Sequence, residues 1–144
     1  MINFLFKEST APTATVLIRF IVGYVFFVEG VQKFLFPDTM GVGHFMKIGI
    51  PDPQFMAPLS GGTEIICGTL LMIGLLTRLS TLPLMINISV AIISTKIPVL
   101  MNKGFWPAIH ESRLDFTMLV GLIFLLLVGA GTASIDAKLA ENKR

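Results

Sequence analysis

Four apolar stretches, each about as long as a bilayer is thick, leave this chain little choice of fold. They cover residues 13–36, 57–76, 79–95 and 113–131. A helix needs about 20 predominantly apolar residues to cross the hydrocarbon core. Lipid offers no hydrogen bonds, so each backbone N–H and C=O in such a run must be satisfied within the protein. That leaves helix as the reading of all four. Proline and glycine punctuate the stretches accordingly. Pro12 and Pro37 bracket the first and Pro58 opens the second. Pro83 lies in the first turns of the third, Pro98 just past its end, and Gly129-Ala130-Gly131 ends the fourth. The expected fold is all-α, an integral membrane four-helix bundle, as one domain over residues 1–144.

Composition supports the membrane reading and excludes several functions. Charged residues make up 14% of the chain and hydrophobic ones 53%; a soluble domain carries about 25% charge. The net charge is +2 and the basic residues are scattered, so no nucleic-acid surface is expected. Cys67 is the one cysteine, which excludes an intramolecular disulfide and CxxC chemistry. In an apolar helix it reads as an inert core residue. The run 16–36 exceeds the 7–15 residues of a signal-peptide core, so a retained span is expected.

Thr77-Arg78 alone separates the second and third stretches, which makes them a tight antiparallel hairpin. The other connections, about residues 37–56 and 96–112, are longer. Four spans put both termini on one side. That side holds six cations, Lys7, Arg19, Arg78, Lys138, Lys143 and Arg144. The long-loop side holds five, Lys33, Lys47, Lys96, Lys103 and Arg113. The positive-inside rule then places the termini in the cytoplasm of a bacterial inner-membrane protein. Residues 40–48 read either as a short interfacial helix or as a loop with apolar anchors.

Glu64 is the one charge in residues 57–76. Facing lipid, a carboxylate there costs about 2.5–3.5 kcal/mol by insertion scales, so it must face protein, a cation or water. Gly61 and Gly68 share its helix face, and small residues let another helix approach closely. Glu29 and Lys33 are four apart and share a face of the first span. Glu29 lies seven residues before Phe36, and Glu64 six after Pro58. Both therefore sit about 10 Å below the same surface. Lys96, His110, Glu111, Arg113 and Asp115 approach that level from the other two spans.

Two readings of this cluster stay open. One is a pocket in which Glu29 and Glu64 exchange protons as catalytic residues, with Lys33, Arg113 and Asp115 binding substrate. The other is a set of interhelical ion pairs and snorkelling lysines that only fix packing. Glu64 is expected to pair with Lys33, whose stem can bend inward, or with Arg113, whose guanidinium can grip two oxygens. Arg19 and Asn87 read as structural. His44 and His110 lack ligand spacing, so no metal site is expected.

A longer pattern runs through the chain. It contains Arg19-Phe20, Gly23 and Gly30-Val31-Gln32-Lys33, then Gly49-Ile50-Pro51. Glu64, Gly68, Leu70-Leu71, Gly74-Leu75 and Thr77-Arg78 follow, and Gly129-Ala130-Gly131 with Ser134-Ile135-Asp136 closes it. Over residues 16–136 this resembles the DoxX family of small membrane proteins. One departure is Glu29, where many members carry histidine.

The resemblance implies a four-helix membrane bundle and a membrane subunit of a redox system. Some members are linked to thiosulfate:quinone oxidoreductase or to redox stress, so quinone is the cofactor it suggests. It leaves open whether the chain is itself an enzyme. The partners it suggests are membrane lipid, a redox protein and a second copy of the chain. Its alternative is a non-catalytic anchor or an assembly or chaperone subunit. A small transporter fits less well, because the spans show no broken helices.

Overall fold

The computed structural model describes residues 13–141, the side chain of Ala140 excepted. Pro12, Lys7, Lys143 and Arg144 lie outside the described residues. Every element among the described residues is helical. The helices are α1 (Thr15–Leu35), α2 (Val42–Lys47), α3 (Pro53–Ile73), α4 (Thr77–Ala91), α5 (Ile97–Lys103), α6 (Phe105–Val128) and α7 (Ile135–Glu141). A π-helical turn, Ile92–Lys96, joins α4 to α5. By length and composition three helices suffice to cross a membrane: Thr15–Leu35, Pro53–Ile73 and the composite Thr77–Lys103. α6 is 24 residues long but carries Glu111, Arg113 and Asp115 in its first half.

Three boundaries differ from expectation. First, α3 ends at Gly74, which takes a left-handed conformation with φ of 72°. Leu75 N–H reaches back to Leu70 O at 2.9 Å, closing a Schellman motif. The link to α4 is thus residues 74–76, and Thr77-Arg78 form its first turn. Second, the third span runs on past Pro98. The π-turn frees carbonyls, and the Thr95 and Ser94 hydroxyls bond Ala91 O at 2.6 Å and Val90 O at 2.7 Å. Pro98 then falls in the first turn of α5, where its missing N–H costs little. Third, residues 96–112 are mostly helical. Gly104 alone separates α5 from α6, at φ 88° and ψ −178°, a region essentially reserved for glycine. α6 therefore begins eight residues before the expected Arg113.

The core occupies mid-bundle. Val22 and Phe26 of α1, Cys67 and Leu71 of α3, Leu84 and Ile88 of α4, and Met118, Leu122 and Leu125 of α6 are buried together. A polar knot closes the end at which α1 begins and α6 finishes. Arg19 donates to Ala130 O at 2.5 Å and Ala133 O at 2.9 Å. Arg78 donates to Leu127 O at 3.0 Å. The Asp136 carboxylate accepts the amides of Leu76 and Thr77 at 2.7 and 3.0 Å, capping α4 from a distant segment. Arg19 is structural, as expected, though its carbonyls come from the chain after α6.

Candidate functional site

The α1–α3 seam sets the geometry of the opposite end. A Cβ on Gly23 would lie 2.6 Å from Gly68 O, and one on Gly68 would lie 2.7 Å from Gly23 O. Gly30 and Gly61 face each other in the same way, about two turns on. The two backbones touch because none of the four residues has a side chain. That contact brings Lys33 over α3, its Cβ 3.3 Å from where a Gly61 Cβ would be.

Lys33 Nζ meets Glu64 Oε2 at 2.5 Å, with 13% and 8% of the side chains exposed. Glu64 is thus held at the seam by one of its two expected cations. Its other oxygen accepts from Ser60 Oγ at the long distance of 3.5 Å. Asn87 of α4 donates to Ser60 O at 3.3 Å, linking α4 to the same turn of α3. A second ion pair closes the far side, Lys96 Nζ to Asp115 Oδ2 at 3.2 Å.

Between these pairs lies a cavity of about 110 Å³. Its polar lining is Glu29, Lys33, Glu64, Asn87 and Asp115. Phe26, Ile88 and Met118 of the core also line it. α1, α3, α4 and α6 each contribute to its wall. Four of the five residues singled out in the sequence therefore converge. Arg113 does not: it is exposed and reaches His110 Nδ1 at 3.4 Å on its own helix. Its helix direction decides this, because residues 113 and 115 point about 200° apart around α6. A larger hollow of about 640 Å³ lies along residues 106–113. One helix alone lines it, so it encloses nothing.

Sequence reasoning missed the Lys96–Asp115 pair, the Ser60 bonds to Glu64 and Asn87, and the place of Asn87 in the cavity wall. Lys96 and Asp115 are near in depth by residue count, which was the available signal. The segment 37–56 does form a short helix, α2, with Gly41 at its start close against Lys33 and Pro37. His44 on α2 is held below its ordinary value, first by burial and then by Lys33, Lys47 and Lys96. α2 thus lies near the two lysines of the ion pairs. Among the described residues no three His, Cys, Asp or Glu side chains gather as metal ligands.

Comparison with known proteins bears on the family. A family model described as DoxX matches residues 14–97. A Mycobacterium tuberculosis protein described as an uncharacterized membrane protein is 46% identical over 141 residues, 94% of this chain and 86% of its own. A Bacillus subtilis protein named "Putative oxidoreductase CatD" is 30% identical, covering 90% of each chain. An uncharacterized Haemophilus influenzae protein is 31% identical over 91% of this chain and 94% of its own. No solved structure matches significantly.

Proposed function

Because the chain belongs to the DoxX family of membrane proteins, we propose that it is the membrane subunit of a redox system that exchanges protons through the four-helix cavity. α6 serves as the fourth span, since residues 116–128 carry no charge and its charged turns meet the surface. The termini face the cytoplasm of a bacterial inner membrane, on the six-to-five balance of cations. Glu29 and Glu64 take up the two hydroxyl protons of a quinol, or of another small hydroxyl-bearing molecule, as the redox partner protein removes its two electrons and leaves the quinone. Lys33 holds Glu64 in place by a charge-assisted bond. Asp115, held by Lys96, completes the polar wall.

The cavity is the observation that carries this reading. Intramembrane acids are costly, and these converge on a shared hollow instead of being dispersed. The name of the Bacillus subtilis relative points the same way. One feature favours the alternative of an anchoring or assembly subunit: Met101 and Trp106 on the α5–α6 hairpin are 79% and 78% exposed. A subunit that only anchors has no use for a polar cavity, so the redox reading is preferred.

The test uses the full chain in lipid nanodiscs, titrated under argon with decylubiquinol, whose two hydroxyls can donate to the acids of the cavity. Binding to the folded state raises the thermal-unfolding midpoint. Glu64→Gln keeps size but removes charge; it should lose most of that rise while ligand-free helicity stays intact. Ala91→Leu fills the cavity wall and should abolish the rise. No rise in the native protein, or equal rises in all three, sinks the reading.

A further inference from the structure

We infer that the cavity accepts a compact head group that donates hydrogen bonds or carries positive charge, and rejects anions. This rests on the redox reading above and specifies its ligand. The sequence alone placed Lys33 and Arg113 among the substrate-binding residues, and two such cations would favour an anionic group. The structure leaves neither of them uncommitted in the cavity. Lys33 is bound to Glu64 at 2.5 Å, Lys96 to Asp115 at 3.2 Å, and Arg113 lies outside the lining.

Glu29 is what remains. It lines the cavity, and among the described residues no cation pairs with it. It is also the open acid of the three: Glu29 is exposed, whereas Glu64 is buried and Asp115 half-buried. A carboxylate accepts hydrogen bonds and donates none when ionised. Asn87 donates one of its two amide N–H bonds to Ser60 O and adds a carbonyl acceptor; its remaining N–H is neutral and offsets no charge. An entering anion would meet Glu29 with no uncommitted cation to offset the repulsion. A cation, or a hydroxyl able to yield its proton, meets an acceptor that needs a partner.

Size narrows the class further. Liquid water takes about 30 Å³ per molecule, and a benzene ring occupies an engineered cavity of about 150 Å³ in another protein. At about 110 Å³ the hollow admits a few waters or part of one small ring. Any larger body must stay outside, past Glu29.

Benzylammonium and benzoate share a ring and differ in charge. Each is titrated into the full chain in nanodiscs of zwitterionic phosphatidylcholine, with binding read by calorimetry. Benzylammonium should bind and benzoate should not. Glu29→Gln should weaken benzylammonium at least about tenfold, since a hydrogen bond to a charged group is lost. Glu29→Asp, which keeps the charge, should restore much of it. Benzoate binding as well as benzylammonium overturns the inference, and so does an affinity unchanged in Glu29→Gln. If Glu29→Gln fails to fold, the ratio of the two affinities in the native protein decides. If decylubiquinol binds and neither probe does, the hollow does not select for positive charge, so the inferred ligand class is wrong and the redox reading stands. If decylubiquinol also fails, the redox reading itself falls.

Discussion

Gly68→Ala tests the seam on which the cavity is built. The added Cβ would fall 2.7 Å from Gly23 O and 2.9 Å from Phe27 N, where ordinary contact begins at 3.4 Å. Both neighbours are backbone, so no side chain can swing away. α1 and α3 must separate by about 0.7 Å, the shortfall from ordinary contact. Forcing an extra methyl into a packed site costs about 1–3 kcal/mol. Alanine returns about 1 kcal/mol of helix propensity. Gly62→Ala, on the same helix, provides the control, because nothing lies within 4 Å of its new Cβ. The propensity gain is common to both variants and cancels between them. Gly68→Ala should therefore be less stable than Gly62→Ala by about 1–3 kcal/mol. Reversible unfolding in mixed detergent and SDS, followed by circular dichroism, measures the difference. Coincident curves, or Gly62→Ala as the weaker protein, would refute the backbone contact. A stable Gly68→Ala protein should also bind decylubiquinol less well, since Glu64 lies one turn from the displaced residue.

Two further outcomes follow from the ends of the bundle. Asp136→Ala removes the carboxylate that accepts the Leu76 and Thr77 amides; by analogy with a lost helix cap it should cost about 1–2 kcal/mol. Hydrogen exchange at those two amides should quicken, and unchanged protection would show that the cap contributes nothing. His44 is held below its ordinary value near 6.5, so the unfolded chain takes up the proton first as pH falls. Stability should therefore drop as pH falls below about 6.5. Melting midpoints at pH 7.5 and 5.5 should differ more in the native protein than in His44→Gln; equal differences would refute this.

Much of the cavity was legible in the sequence, for reasons that are local. Glu29 and Glu64 could be placed at one depth, with Lys33 about one turn nearer the surface on the face of Glu29, because a helix rises a constant 1.5 Å per residue. Gly61 and Gly68 marked the seam face of α3 because the helical period puts them beside Glu64. The choice between Lys33 and Arg113 was not legible. It depends on the rotation of α6 about its axis, which the packing of Met118, Leu122 and Leu125 against the core sets. Pro98 read as a stop because proline ends an ordinary helix. The π-turn before it changes the hydrogen-bond register, and nothing in the local pattern of residues 92–96 marks that.

The sequence by itself determined that this chain is helical, that it belongs in a membrane, and that acids lie within its apolar spans. Those properties are sums over neighbouring residues: length, hydropathy and the period of a helix. Only the tertiary structure decided which acid keeps a cation and which does not. Glu64 holds Lys33 because Gly30 and Gly61 let two backbones touch. Asp115 holds Lys96 because a π-turn and a single glycine fold α5 back onto α6. Glu29 is left exposed at the cavity because both lysines are already bound. Each outcome depends on contacts between residues far apart in the chain, and no local sum contains them.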